Sequence, residues 1–68
     1  MISPNVFRTG KFYQLRNHGD LYVFQIISFE GENDYLLKDY YTLETYHFSD
    51  LIRYGKGNDF TLEEFNAN

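Results

Sequence analysis

Cysteine is absent from this chain of 68 residues. No disulfide and no thiolate zinc site can form. With only two histidines, His18 and His47, a histidine-rich metal site is not expected either, and no cofactor is implied. The missing thiols also fit a reducing cytoplasm, which is the expected location. Long apolar runs are missing as well. No stretch approaches the roughly 20 residues of a membrane span, so no membrane association is expected. The opening residues, Met1-Ile2-Ser3-Pro4-Asn5, lack the charged start and apolar centre of a secretory signal. Basic charge is scarce too: six Lys and Arg face ten Asp and Glu, for a net charge of −4. Residues 1–56 hold six bases and seven acids (net −1), and residues 57–68 hold Asp59, Glu63 and Glu64 with no base (net −3). A nucleic-acid binder needs Lys and Arg to displace the counterions along the phosphates. This chain has no such surplus, so nucleic acid is not an expected partner.

What the chain does have is aromatic rings. Seven Phe and seven Tyr make up 21% of the residues. A chain of this size buries only about 60% of its unfolded surface, so its stability margin is small. Each ring buries roughly 150–250 Å². The aromatic residues are therefore the expected source of the core.

The pattern predicts an all-β domain. Residues 1–9 hold one proline and read as an extended lead-in. Residues 11–16 alternate and are rich in aromatics, a strand signal. Asn17-His18-Gly19-Asp20 reads as a turn. Residues 21–29 carry Tyr22, Val23, Phe24, Ile26, Ile27 and Phe29, all strand formers. Apolar residues fall on both faces there, which predicts a bulge or bend near Ser28. Residues 30–34 form a polar hairpin loop, and residues 35–39 the next strand. Tyr40-Tyr41-Thr42 is a connection without the glycine that tight hairpins favour. Residues 43–48 form a strand, Ser49 starts a single helical turn with Asp50 near its positive end, and Arg53-Tyr54 gives a last short strand. Leu51 and Ile52 plug the end of the core. Residues 55–68 form an acidic tail, either disordered or one helical turn built on the capping-box spacing of Thr61-Leu62-Glu63-Glu64.

Three quoted segments resemble a known family. Residues 21–29 are similar to the Tudor strand that carries an aromatic, then a core position, then an aliphatic residue. Asp39-Tyr40-Tyr41-Thr42-Leu43-Glu44 is similar to the Tudor turn of aspartate, tyrosine, glycine, asparagine, any residue and glutamate. Phe48-Ser49-Asp50-Leu51-Ile52 resembles the helical stop before the last strand. Over residues 10–54 the chain thus resembles a Tudor-type member of the SH3-like barrels. The resemblance implies a small five-stranded barrel with one helical turn, followed by the acidic tail. Tudor domains that bind methylated arginine or lysine use an aromatic cage. Tyr22 and Tyr40 fall at cage positions. Leu15 and Leu37 stand where two further aromatics would be, Tyr41 replaces the turn glycine, and Thr42 stands where the asparagine would contact ligand.

Candidate chemistry is sparse. His18 beside Asp20, or His47 beside Asp50, has the form of a base and its orienting carboxylate, but each lies in or beside a turn where a solvated side chain is the ordinary reading. No G-x-S-x-G elbow occurs. Glu30, Glu32 and Asp34 are too closely spaced for a twelve-residue EF-hand loop. Lys11, Arg16, Lys38 and Arg53, interleaved with tyrosines, would favour single-stranded nucleic acid if they shared one face. Phe60, Leu62 and Phe65 in the tail form either a short motif for a partner groove or a patch that packs on its own domain. The expectation is therefore a non-enzymatic binding module. Its partner is a protein or peptide, met through a surface of Tyr22, Tyr40, Tyr41 and Thr42 or through an open sheet edge, with a homodimer as one form. The alternative is an acidic inhibitor or nucleic-acid mimic that binds a basic protein.

Overall fold

The computed structural model describes residues 7–31 and 33–66. Among them the chain is mostly β, with five strands and one short helix: β1 Phe12–Asn17, β2 Asp20–Glu30, β3 Asp34–Asp39, β4 Thr45–His47, α1 Phe48–Leu51 and β5 Thr61–Glu64. All strand pairings are antiparallel, in the order β4-β3-β2-β1-β5. β4 and β5 are the two edges, so the sheet is open and does not close on itself.

The β1–β2 connection follows directly from its residues. Asn17 pairs with Asp20, and the two residues between them, His18 and Gly19, both have positive φ (52° and 82°). A two-residue hairpin needs this conformation because its twist matches that of the strands. Gly19 adopts it without strain. Further along β2 the register with β3 shifts between Ile26 and Ser28, where a bend is expected from the sequence. The extra residue exchanges the faces on which later side chains lie. This is why apolar residues along β2 do not alternate simply.

The core lies on one face of the sheet. Leu15, Phe24, Ile26, Leu37 and Leu62 are fully buried there, with Tyr13 and Phe48 close behind. Each aliphatic or phenyl side chain so buried contributes about 1.5–3 kcal/mol. Leu51 and Ile52 pack against this cluster at the end of α1. Phe7, placed by the sequence in a featureless lead-in, is a central core residue. Its ring meets those of Tyr13, Tyr35 and Phe48 at 4.6, 5.0 and 5.4 Å. Residues 1–6 of that lead-in lie outside the described residues.

The largest correction concerns the C-terminal segment. Arg53-Tyr54 is not a strand; it belongs to the turn after α1. The last strand is Thr61–Glu64, inside the stretch expected to be a disordered or helical tail. It pairs with β1, Leu62 opposite Leu15. The capping-box spacing of these residues is a local signal, and the ladder with β1 overrides it, because a single helical turn has no stability of its own. α1 likewise begins one residue earlier than expected. Ser49 does not cap it; its N–H and hydroxyl both donate to Asp34, at 3.0 and 2.7 Å. β4 is shorter than the expected strand over residues 43–48.

One buried side chain connects these parts. Asn17 is 2% exposed, at the end of β1. Its amide donates to the carbonyls of Leu51 and Gly55 (3.2 and 3.1 Å), and its oxygen accepts from the Gly57 N–H (2.7 Å). Asp59 adds a second clasp: its carboxylate accepts the His18 and Gly19 N–H groups of the hairpin turn at 2.9 and 2.8 Å. A Cβ added at Gly57 would stand 2.9 Å from His18 Nδ1, so the ring would have to shift to admit a side chain. Asn17→Ala removes three hydrogen bonds to partly buried backbone groups, each worth about 1 kcal/mol, and is expected to cost about 3 kcal/mol. For a domain of this size the midpoint of thermal unfolding should fall by more than ~10 °C. A fall of under ~3 °C in calorimetry would show that the carboxamide does not hold the crossing loop.

Candidate functional site

Of the four candidate surface residues, Tyr40 lines one recess and Tyr22 another, while Tyr41 and Thr42 line neither. The first lies on the outer face of the sheet, away from the core. Phe12, Gln25 and Lys38 are direct cross-strand neighbours on β1, β2 and β3, so their side chains share that face. With Asp39, Tyr40 and Leu43 they line a recess of about 210 Å³. The Tyr40 ring contacts Phe12, Tyr41 and Phe65 at 5.8, 5.1 and 5.2 Å.

The loop over residues 40–44 forms the rim, and Asp39 shapes it. One carboxylate oxygen accepts the N–H groups of Tyr41 and Thr42 at 2.8 and 2.9 Å. The other accepts the Tyr46 hydroxyl at 2.9 Å. Backbone bonds from Leu43 N–H to Asp39 O and from Asp39 N–H to Glu44 O close the loop at 3.1 and 2.8 Å. Thr42 is occupied inside this loop, its hydroxyl accepting the Glu44 N–H at 3.2 Å. The positive φ that a glycine would supply falls on Leu43 instead (64°). A bulky residue is strained in this conformation. Both Tyr41 and Leu43 stand out into solvent, 71% and 64% exposed.

Tyr22 is elsewhere. It shares its strand face with Phe24 and Ile26 and packs at the margin of the core. It lines a second recess, about 280 Å³, with Asn17, His18, Asp20, Asp50, Leu51 and Tyr54. Its ring lies against Tyr46 at 6.5 Å. Burial raises its pKa, and the neighbouring Asp20 carboxylate adds to the rise. Tyr40 and Tyr41 thus come together, Thr42 stays inside their loop, and Tyr22 faces the other side of the sheet. Leu15 and Leu37, at the remaining cage positions, are fully buried, so no aromatic cage assembles from the residues that resemble one.

The other candidate groups have structural partners. The His18 ring shares a hydrogen bond with the Gly55 carbonyl at 2.9 Å. Asp50 accepts the His47 N–H at 3.1 Å and the Arg53 guanidinium at 3.0 Å. Lys11 is paired with Glu64 at 3.5 Å. Of the four cations that might have shared one face, Arg16 and Lys38 lie on the outer face with Phe12 and Gln25, while Lys11 and Arg53 are held in ion pairs. Glu32 lies outside the described residues. Among those described, no three His, Asp or Glu side chains are grouped to hold a metal ion, and no helix is long and apolar enough to cross a membrane. The outer recess carried a weak sequence signal, the aromatic run at 40–41. Leu43 carried none, because its exposure and backbone strain exist only in the folded loop.

No protein-family model matches this chain, and comparisons with curated proteins and with solved structures find no match either.

Four aspartates make the loops sensitive to acid. For Asp59 the Gly19 N–H is the main cause of a lowered pKa, and for Asp50 it is the His47 N–H. For Asp34 and Asp39 burial pushes the pKa up, but hydrogen bonds outweigh it: from Ser49 and Tyr35 to Asp34, and from Thr42, Tyr41 and Tyr46 to Asp39. All four therefore lie below the ordinary 3.8 in the folded protein. A group depressed on folding adds stability above its unfolded pKa and loses it as the pH falls through the folded value. Thermal midpoints should be nearly flat from neutrality to about pH 5 and drop steeply below about pH 4. Asp39→Asn should be less stable at pH 7, with the gap to the unmodified chain narrowing below pH 3.8. A gap that stays constant with pH would refute the ionised clamp.

Proposed function

We propose that this chain is a small non-catalytic module that binds a protein or peptide through the outer sheet face at Tyr40, Tyr41 and Leu43. The observation that carries this reading is Leu43. The loop holds a bulky residue in a left-handed conformation, and the side chain contributes little burial in return. Strain retained without a packing benefit points to a role for the residue at the surface. Tyr41 stands beside it on a loop that five hydrogen bonds to Asp39, Thr42 and Glu44 keep in place. A rigid loop presenting an aromatic and an aliphatic group loses little conformational freedom on binding.

The strand order, with β5 returning to β1 after a short helix, is also that of the SH3-like barrels and supports placing the domain near them. The Tudor ligand mode has less support, because Tyr22 and Tyr40 line different recesses. Strand addition at an edge has less as well: β4 has only three residues, and β5 carries Glu63 and Glu64. The acidic-mimic alternative is weakened by the use of Asp34, Asp39, Asp50 and Asp59 as acceptors for backbone N–H groups.

Leu43→Gly tests the reading. Relief of the left-handed strain exceeds the entropy cost of glycine, so stability should hold or rise by about 0.5–1 kcal/mol. Capture of partners from the native host should weaken sharply at the same time, and Tyr41→Ala should lose the same partners. Capture unchanged by both substitutions would end the proposal.

A further inference from the structure

Resting on the binding face just described, we infer that its occupant is an acidic, apolar peptide segment of a partner protein. One aromatic or aliphatic side chain enters the recess between Phe12, Tyr40 and Leu43, and a neighbouring Asp or Glu meets Lys38.

The recess is small. At about 210 Å³ it is smaller than the roughly 300–1,000 Å³ of small-molecule pockets, and it is open on the outer sheet face. It suits one large side chain, not a whole metabolite. Its walls are mainly ring and aliphatic surface, which selects an apolar anchor.

The recess also carries a positive charge. Lys38 stands in the wall of the recess and has no hydrogen-bond or ion-pair partner among the described residues. The adjacent carboxylate does not serve it, because both oxygens of Asp39 accept bonds from the loop and from Tyr46. The protein as a whole is acidic, yet beside the apolar hollow this face presents a cation with no partner among the described residues. An incoming carboxylate completes the arrangement, with the apolar anchor excluding water from the pair. Phosphates of a nucleic acid are a poorer fit. They require several cations in series, whereas Lys38 is the one base lining the recess and Arg16, on the same face, lies outside that lining.

The test is selection of random seven-residue displayed peptides on the full immobilised chain. A synthetic peptide of the dominant sequence is then titrated against the unmodified chain, Lys38→Glu, Lys38→Gln and Leu43→Gly. The expected peptides place Phe, Tyr, Leu or Ile within two residues of Asp or Glu. Lys38→Glu should weaken the peptide by about tenfold, since it removes one attraction and adds a repulsion of similar size. Lys38→Gln should fall between the two, and thermal midpoints show that all variants stay folded. Peptides that depend on Leu43 but carry no acidic residue, or that ignore both Lys38 substitutions, overturn this inference and leave the binding face standing. Failure to select any peptide sensitive to Leu43→Gly overturns both. A twelve-residue oligothymidylate that binds more tightly than the peptide, in a Lys38-dependent way, also overturns it.

Discussion

A single buried carboxamide ties the loop that carries the last strand to the rest of the sheet. The last strand must travel from the far side of α1 back to β1, and the loop that carries it has little apolar content of its own. Asn17 holds that loop by bonding to Leu51 and Gly55 on its near side and Gly57 further along. Asp59 repeats the contact from the opposite direction by accepting two N–H groups of the β1–β2 turn. The hairpin turn and the crossing loop therefore stabilise each other. The clasp helps hold Leu62 in its place opposite Leu15, where it forms one wall of the core.

The same device recurs around the molecule. Asp34 ties the start of α1 to β3, Asp39 shapes the rim of the outer recess, and Asp50 holds the entry to the helix. A small domain without disulfides must satisfy its loop N–H groups by some means. Here aspartate side chains do so. The consequence for function is that net charge misleads. Four aspartates accept backbone N–H groups, while Lys38 on the outer face has no partner among the described residues.

The outer face also shows a local conflict between sequence and conformation. Leu43 occupies a backbone geometry that favours glycine, and it does so in solvent. Natural sequences depart from local consistency mostly where function requires it. The loop keeps this strain because the Asp39 clamp and the β3–β4 ladder fix both of its ends.

How far the chain could be read in advance depended on where each signal resided. β1, β2, β3 and the first hairpin turn were legible because aromatic and β-branched runs, with Asn17-His18-Gly19-Asp20 between them, act over a few residues. The bulge after Ile26 was legible from apolar residues on both faces of β2. Phe7 was not, since nothing in its neighbours separates a core residue from a lead-in. Nor was β5: Thr61-Leu62-Glu63-Glu64 has the spacing of a helix start, and only a partner strand more than forty residues earlier makes it β. The grouping of Tyr22 with Tyr40 and Tyr41 failed for a related reason. Strand parity sends Tyr22 to the core side, while Tyr40 turns outward at the end of β3. Sequence alone thus determined the all-β character, because strand propensity is a short-range property of side chains. Tertiary structure decided the closing strand, the buried hub and the face left open for binding, because those depend on which distant backbone groups find one another.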